Sequence, residues 1–532
     1  MDENAVLYVA LSLVLLCITT YLLGSEGRRL SHIPTVGGSS LPLLSYVGAF
    51  RTLLYSKDVL QEGYSKYKGG VFKIAELNCW IVLVTGSELV EELRKVPDSI
   101  LSFPVALQEL IQEEYTLGRG LASSIYHIPL LITRVTRHLA ELFPNIHDEI
   151  VTAFNDELSL TKEGMILSMD AGPSEQDVDG SGLSSDQSSV RWVATMYVFP
   201  FDLLRKIMLN SMLLCRPFHD FDQPGRNRDF CELNKSFTID LMVGATIVRM
   251  FPEFLRPLAT RLLLSVSKSV ARGHELLDPI LNERLRLAKE LGDDWIDKPK
   301  DLLQWLIDAR PSDVPLTTVP LRVLILNVAA IHTSSMTLTL ALYYLAVHPE
   351  YVKVLRDEVE TVARTHEWTK DAVDRLDKMD SFLKELMRFE GLSTRSMIRT
   401  ALKDHTLSNG TFIPAGTRLM TTARAIHHDE NIYADPDVFN PWRFSNMRNA
   451  GETAKFVNTS SEYLAFAYGR HACPGRFFAS TELKEVLSHL VVNYEMKMEK
   501  EAVVPPSSFV GYSLIPDLKA NVMFRRRGRN AN

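Results

Sequence analysis

The spacing of apolar residues predicts helices along most of the chain, interrupted by short β-type runs. Leu483, Val486, Leu487 and Leu490 recur at i, i+3, i+4 and i+7, which is the pattern of an amphipathic helix. Two β-type segments predict hairpins: one is rich in β-branched and aromatic residues, and the other contains an Asn-Gly turn. These segments are residues 70–85 and 407–414.

Residues 319–347 form a long, largely apolar run that would suit either a membrane span or a buried helix. Asn327, His332, Thr333 and Ser334 stand in the middle of this run, where lipid would make their polar groups costly. We therefore expect a central helix that is buried in protein.

Residues 5–23 predict a membrane anchor, because they carry no charge and are long enough to cross a bilayer once. The segment before them is acidic, unlike that of a cleaved signal peptide. Arg28 and Arg29 follow the run, which places the remaining chain on the cytosolic side. We expect an anchor over residues 1–24 and a proline- and glycine-rich hinge over residues 25–50.

Composition narrows the class of protein. The chain has 532 residues, of which 46% are hydrophobic and 23% charged, and this suits a large globular body with ample core. The net charge of −7 gives no indication of nucleic-acid binding. Five scattered cysteines without CxxC spacing argue against a disulfide framework or a zinc site, and they fit a reducing compartment. Residues 168–190 are polar and of low complexity, which predicts a disordered insert.

Cys473 lies in a glycine-flanked loop immediately before a predicted helix. The free N–H groups and the dipole at the N-terminal end of a helix favour a thiolate, which could ligate a metal or act as a nucleophile. Gly469 permits a sharp turn, Gly475 leaves room for a flat ligand beside the backbone, and Phe466 can cover the sulfur and exclude water. Taken alone, Cys473 would most simply be a structural cysteine.

Four motifs occur in the order found in the cytochrome P-450 family. The pattern Phe-x-x-Gly-x-x-x-Cys-x-Gly at residues 466–475 resembles the family's haem-binding loop. Residues 329–334 resemble its distal helix motif, and Glu385 with Arg388 resembles its Glu-x-x-Arg pair. Arg443 stands in a segment similar to the family's Pro-x-Arg-Phe segment.

The resemblance implies a mainly α fold with small β-sheets, wrapped around one haem in a catalytic domain over residues 51–532. Cys473 would be the axial thiolate ligand of the haem iron. Glu385, Arg388 and Arg443 would meet in a structural network that fixes the cysteine loop.

The resemblance also implies contacts to the haem propionates. Arg399 matches an arginine that pairs with a propionate, and His471 matches a position with the same role. Arg137 is a further candidate, although Thr133 stands where the family usually has tryptophan, and a solvated surface arginine is the other interpretation. Residues 237–258 would form a lid over the substrate channel, with an ordinary core helix as the simpler alternative.

On the oxygen side, Thr333 would offer a hydroxyl that helps to deliver protons to bound oxygen. Ala330 replaces the family's usual glycine, and His332 replaces its usual acidic residue. His332 could relay protons or could be a packed histidine. The Ala-Ala-Ile-His-Thr form resembles that of fungal members that act on terpenoids and related secondary metabolites.

The function implied is a haem-thiolate monooxygenase that activates O₂ and hydroxylates or further oxidises a hydrophobic small molecule, with a terpenoid as the expected substrate. No GxGxxG follows a predicted strand, so we expect electrons from an NADPH–cytochrome P-450 reductase in the endoplasmic reticulum membrane, docked near Arg470, Arg476 and Lys484. Two other classes stay open. One is a haem-thiolate isomerase or dehydratase that needs no reductase, and the other is a haem-binding sensor or electron carrier.

Overall fold

The computed structural model describes residues 26–118, 121, 124–159, 195–196, 228–251, 253–449, 454–500 and 502–527. The predicted anchor over residues 1–24 and the predicted insert over residues 168–190 lie outside these ranges. Within the predicted hinge, a helix begins at Ser45 and continues beyond residue 50.

Helices dominate the described chain. The α-helices span Ser45–Leu54, Ser56–Lys66, Ser87–Lys95, Phe103–Ile111, Glu113–Thr116, His127–Leu130, Leu139–Ser159, Arg228–Arg249, Arg256–Leu263, Val266–Leu291, Leu302–Asp308, Thr318–Val347, Pro349–Thr365, Lys370–Asp374, Asp377–Phe389, Ala423–His427, Arg443–Asn449 and Arg476–Asn493. Shorter π-helical or 3₁₀ stretches span Leu131–Val135, Glu253–Leu255, Gly292–Asp294 and Gly469–His471.

Short strands form small sheets beside the helices. The strands are β1 Val71–Ala75, β2 Trp80–Val84, β3 Leu101–Ser102, β4 Thr195–Met196, β5 Ser396–Ala401, β6 His405–Thr406, β7 Phe412–Ile413, β8 Arg418–Thr421, β9 Tyr494–Met498, β10 Ser508–Val510, β11 Ser513–Ile515 and β12 Val522–Arg526. Among the described residues, the largest sheet has the order β1-β2-β8-β5-β3, and smaller sheets pair β4-β12-β9, β6-β7 and β10-β11.

Both predicted hairpins are confirmed. Strands β1 and β2 pair antiparallel, with Val71 opposite Val84 and Ala75 opposite Trp80. Strands β6 and β7 pair across a turn that contains Gly410, whose φ of +83° suits glycine far better than any residue with a Cβ.

The helix Thr318–Val347, called the central helix below, is buried along most of its length. It is the described helix that is long and apolar enough to cross a membrane, yet 67% of its most apolar window is enclosed by the protein. Its polar Asn327 donates a hydrogen bond from Nδ2 to Oδ1 of Asn234 over 2.9 Å. The prediction of a buried central helix is therefore confirmed.

The helix after the cysteine, Arg476–Asn493, also forms as predicted, and its four predicted apolar positions are buried. Its polar residues are buried as well, which the amphipathic pattern does not predict. Lys484 forms an ion pair with Asp380 over 2.6 Å, and Glu485 accepts a hydrogen bond from the Trp368 indole over 3.0 Å. Partners on a neighbouring helix and in a loop thus allow this helix to lose its solvent face.

The segment that the sequence predicts as a lid or a core helix, residues 237–258, packs only in part against the core. In the helix Arg228–Arg249, Phe237 and Leu241 are buried against the core, whereas Met242 on the same helix is exposed. After it, Phe254 and Leu258 are largely exposed. One face packs and another presents apolar side chains outwards.

Glu482 differs from its buried polar neighbours. It is fully buried, and neither of its carboxyl oxygens has a hydrogen-bond partner among the residues that the structure describes. Burial raises the pKa of Glu482 well above its ordinary value. The carboxyl group therefore keeps its proton to higher pH in the folded protein than in the unfolded chain.

We expect the Glu482→Gln variant to gain stability over the native protein as pH rises. Above the unfolded-state pKa, the unfolded chain releases a proton that the folded protein keeps, so native stability falls by about 1.4 kcal/mol per pH unit until the raised pKa is reached. Glutamine has no such dependence. Thermal unfolding of both proteins at about pH 5 and about pH 7.5 measures the difference, and a gap that does not widen with pH would contradict a buried, protonated Glu482.

Candidate active site

The loop that carries Cys473 folds back on itself. The Cys473 backbone N–H donates a hydrogen bond to the Phe466 carbonyl over 2.8 Å, and Gly469–His471 form a 3₁₀ turn between these two residues. Gly469 has a φ of +81°, and a Cβ at this position would lie 2.1 Å from Cγ of Arg94. The loop therefore requires glycine at residue 469 for two reasons, backbone conformation and close packing.

The sulfur of Cys473 lies at the N-terminal end of the helix that follows. The backbone N–H groups of Gly475 and Arg476, together with the charge of Arg476, favour the thiolate, but burial has the larger effect and raises the pKa of Cys473. A coordinated metal deprotonates a thiol outright, so burial is compatible with metal ligation. Phe466 packs on Phe456 with ring centroids 5.0 Å apart and helps to enclose the loop.

Arg399 and His471 meet around the ring of Phe103. The Arg399 guanidinium carbon lies 5.8 Å from the Phe103 ring centroid, and the His471 imidazole stacks on the same ring at 4.8 Å. His471 Nε2 is 2.9 Å from both carboxylate oxygens of Asp98. The structure thus brings together two residues that the sequence predicts to contact haem propionates.

Arg399 carries an unused hydrogen-bond donor in this cluster. It is 1% exposed, and its Nη1 donates to the Ile398 carbonyl, whereas its Nε has no hydrogen-bond partner in the described part of the chain. Burial lowers the pKa of Arg399 to about 10, with Asp98 opposing the shift, so the guanidinium is charged at neutral pH. A buried donor without an acceptor is costly, and a haem propionate would supply the acceptor. The residues present therefore fit a haem on this side of the loop.

Glu385 binds two arginines in the interior. Its carboxylate accepts hydrogen bonds from Nε and Nη2 of Arg388 over 2.8 and 2.9 Å, and from Nε of Arg443 over 3.1 and 3.2 Å. Arg388 also donates from Nη1 to the carbonyls of His427 and Pro436 over 2.6 and 2.9 Å. The three residues predicted to form a network are in direct contact.

The central helix has one open face. Between Thr318 and Ala346 its residues are buried, apart from a set that recurs at helical spacing and a single additional position, Ala330. The set on the open face consists of Leu321, Ile325, Val328, Ala329, His332, Thr333 and Met336. These side chains form a partly exposed stripe on a helix that is otherwise enclosed by the protein. Most of them are apolar, which suits contact with an apolar ligand.

Thr333 and Ala329 are the most open residues of this face. The Thr333 hydroxyl donates a hydrogen bond to the Ala329 carbonyl over 2.8 Å, one turn earlier in the helix. This bond satisfies the hydroxyl within the helix, so the side chain must rotate before it donates to a ligand.

His332 is half-buried beside Thr333. Burial lowers the pKa of His332 to about 4, so its imidazole is neutral at physiological pH. A neutral imidazole can still pass a proton by accepting it at one nitrogen while it releases one from the other. Proton relay and simple packing therefore both stay open for this residue.

Arg137 takes no part in the contacts described above. It lies in a turn between the stretch Leu131–Val135 and the helix Leu139–Ser159, where it is exposed. It forms no hydrogen bond or ion pair with any residue that the structure describes. The propionate role of Arg137 stays a prediction without contact support.

The basic residues predicted to attract a reductase have different surroundings. Arg470 is exposed, whereas Lys484 is buried against Asp380. Arg476 is half-buried and donates to the carbonyls of Val457 and Cys473. The prediction of a docking charge at Lys484 is wrong, because the spacing of residues along the helix does not reveal the carboxylate that pairs with it in the core.

Sequence reasoning missed Phe103, Asp98 and Arg94, which lie early in the chain and surround the cysteine loop. Phe103 and Asp98 contact Arg399 or His471, and Arg94 packs against Gly469 and Tyr468. The sequence gives a weak signal for Asp98 alone, because this polar residue lies in the short connection between the helix Ser87–Lys95 and strand β3. Their roles depend on long-range contacts that the local sequence does not encode.

Comparisons with known proteins extend over nearly the whole chain. The family model described as Cytochrome P450 matches residues 191–523. Cytochrome P450 monooxygenase 103 of Postia placenta is 39% identical over 532 residues, which cover 99% of each chain. Cytochrome P450 monooxygenase 151 of the same fungus is 39% identical over 535 residues, 99% of this chain and 100% of that protein. Cytochrome P450 monooxygenase CYP512U6 of Ganoderma lucidum is 32% identical over 507 residues, 94% of this chain and 93% of that protein.

We expect Gly469→Ala to disturb the cysteine loop far more than Gly410→Ala. Both glycines have positive φ, 81° and 83°, so the backbone strain of about 1–2 kcal/mol is matched between the two variants. At Gly469 the new methyl group also meets Arg94, whereas nothing lies within 4 Å at Gly410. This overlap adds roughly 1–3 kcal/mol. Haem content per chain and thermal unfolding measure both effects, and equal losses in the two variants would show that packing against Arg94 is unimportant.

Proposed function

The chain belongs to the cytochrome P450 family, and on that premise we propose that it is a membrane-bound enzyme that hydroxylates or further oxidises a terpenoid in fungal secondary metabolism. As a cytochrome P450 monooxygenase it uses a haem cofactor, O₂ and electrons from a redox-partner reductase to act on a small molecule. The terpenoid substrate, the membrane location and the roles of individual residues are proposals.

The haem, held by a thiolate, supplies the activation of O₂ and the transfer of one oxygen atom to substrate. The observation that carries the site assignment is the half-buried Cys473 in a loop closed by its hydrogen bond to Phe466. In the proposed site, Cys473 ligates the iron and Arg399 and His471 hold the propionates. The Glu385 network stabilises the polypeptide behind the loop and has no chemical role.

Thr333 is the proposed proton donor on the oxygen side. Its hydroxyl leaves the Ala329 carbonyl at the cost of one neutral hydrogen bond, about 1 kcal/mol, so the rotation is available at room temperature. After the rotation, the Ala329 carbonyl no longer accepts a hydrogen bond from this hydroxyl. A water molecule can then donate to the carbonyl instead. His332, neutral and one residue earlier, is the second candidate in the proton path.

The open face of the central helix supports a hydrophobic substrate. Ile325, Val328 and Met336 on this face are apolar and only half-buried, so a ligand against this face would cover them. Apolar lining alone fits many substrates. The choice of a terpenoid rests on the Ala-Ala-Ile-His-Thr form, which resembles that of fungal members acting on terpenoids.

We expect the chain, co-expressed in yeast with an NADPH–cytochrome P450 reductase and fed terpenoid scaffolds, to yield products that carry added oxygen. Thr333→Val should lower product formation on the order of a hundredfold, because the variant keeps the side-chain shape and loses the proton donor. Thr339→Val is the matched control, since Thr339 makes the same type of bond, to the Ser335 carbonyl over 2.8 Å, at a buried position. Product mass analysis with and without NADPH measures these effects.

Two outcomes would overturn parts of this proposal. Oxidation of fatty acids or simple aromatic compounds without any terpenoid product would exclude the terpenoid assignment. Conversion of a substrate without NADPH or reductase would favour an isomerase or dehydratase instead. Cys473→Ser should abolish both product and the thiolate-type spectrum of the reduced carbon monoxide complex.

An exposed apolar stripe supports attachment to a membrane in addition to the proposed anchor. Phe254, Leu258 and Leu262 follow at intervals of four residues and are 71%, 55% and 70% exposed. Leu258 and Leu262 share one face of the helix Arg256–Leu263. Transfer of such side chains from water into the interface of a bilayer lowers the free energy.

We expect a chain that lacks residues 1–24 to retain binding to phospholipid vesicles through this stripe. Replacement of Phe254, Leu258 and Leu262 by serine should lower the partition coefficient about tenfold or more, because each large apolar side chain contributes roughly 1.5–3 kcal/mol when fully buried. Serine at Leu291, Ile296 and Val438, which are also exposed, is the control. Vesicle co-sedimentation measures the bound fraction, and equal loss in both sets would contradict a specific membrane face.

A further inference from the structure

Lys384 is a buried cation next to the Glu385 network that the proposed chemistry does not use. It lies in the helix Asp377–Phe389 and is 4% exposed. Its Nζ donates hydrogen bonds to the carbonyls of Lys455 and Asn458 over 2.9 and 3.2 Å. The same Nζ stands 4.0 Å from the ring centroid of Tyr463.

The carbonyls that Lys384 binds belong to a tight turn. The Asn458 N–H donates to the Lys455 carbonyl over 3.0 Å, so both acceptors of Lys384 are the two ends of this turn. Between them, the Phe456 N–H donates to the Asp380 carboxylate over 2.8 Å. Lys384 and Asp380 lie one helical turn apart, and together they fasten residues 455–458 to the helix Asp377–Phe389.

Arg476 holds the same turn from the side of the cysteine. Its Nε donates to the Val457 carbonyl over 3.1 Å, and its Nη1 donates to the Cys473 carbonyl over 2.8 Å. Two cations therefore connect the helix Asp377–Phe389 to Cys473 through the backbone carbonyls of residues 455–458. Phe456, inside this turn, also packs on Phe466 at the start of the cysteine loop.

We propose that Lys384 is a positioning residue for Cys473, acting through residues 455–458 and Arg476 to keep the sulfur in its ligating position. This inference rests on the proposed role of Cys473 as the axial ligand. Lys384 does not touch the reacting atoms. Its effect is to prevent the turn, and with it the Cys473 carbonyl, from moving away from the cofactor.

The contact does not depend on the protonation state of Lys384. Burial lowers the pKa of Lys384 to about 7, while Asp380 raises it and Arg448 lowers it further. The charged amine has three N–H donors and the neutral amine has two, so either form can serve both carbonyls. Loss of the amine would leave both carbonyls without this donor.

The experiment compares Lys384→Met with the native holoenzyme. Methionine keeps the length and the apolar stem of the side chain and removes its donors. We expect conversion of the reduced carbon monoxide complex from its thiolate-ligated to its thiolate-free spectral form to become about tenfold faster, given the usual net strength of a buried hydrogen bond. Lys378→Met is the matched control, because Lys378 lies on the same helix and binds Ser445 Oγ instead. Lys384→Arg should restore most of the native rate.

A double-mutant cycle separates positioning from general destabilisation. We expect the effects of Lys384→Met and Arg476→Met on the conversion rate to be non-additive, since both act on one turn. Conversion of Lys384→Met at the native rate, or additive effects in the cycle, would overturn the proposal. For a poorly folding Lys384→Met, Lys384→Gln provides the same comparison, with an intermediate rate expected and the native rate as the contradicting result. A thiolate spectrum that survives Cys473→Ser would instead overturn the proposed ligand itself.

Discussion

The cysteine side of the protein depends on the hydrogen bonds that the Glu385 carboxylate accepts. It is fully buried and accepts hydrogen bonds from Arg388, Arg443 and the Asn440 backbone N–H. Burial of these charges is costly, and they are stable only as a complete set, because removal of one leaves the others uncompensated in the interior. The arginines extend the network, since Arg388 binds the carbonyls of His427 and Pro436. One carboxylate thereby fixes a stretch of chain that has little regular structure of its own.

Hydrogen bonds from basic side chains to backbone carbonyls also hold the chain between residues 428 and 475. Here the described backbone forms one α-helix, Arg443–Asn449, so most carbonyls lack the partners that a helix or sheet would give them. Basic side chains supply those partners instead: Lys384 binds two carbonyls, Arg476 binds two, and Arg448 binds that of Ala454. A chain held in this manner can adopt the irregular path that brings Cys473 to the end of a helix, because these side chains join it to other segments.

The sequence predicts the elements of this architecture better than their connections. The central helix, the helix after Cys473 and both hairpins follow from apolar spacing and turn residues, which are local properties. The contact of Glu385 with Arg443 follows from the motif resemblance. These residues are too far apart in the sequence for apolar periodicity to predict it. Asp98, Phe103 and Lys384 were not predicted, since their partners are distant in the chain. The docking role predicted for Lys484 is wrong for the same reason, because its partner Asp380 is distant in the sequence.

The two sides of the proposed haem site are held to different degrees, and this difference bears on specificity. The cysteine side is held by charged hydrogen bonds that reach into several segments, so a substitution there changes how the cofactor is held. The opposite side consists of the open face of one helix, where Thr333 bonds only within its own helix and Ile325, Val328 and Met336 are half-buried. Apolar side chains on a rigid helix can be exchanged with small consequences for the rest of the fold. Differences in substrate among related chains are therefore expected to lie on this face, where His332 already departs from the family pattern.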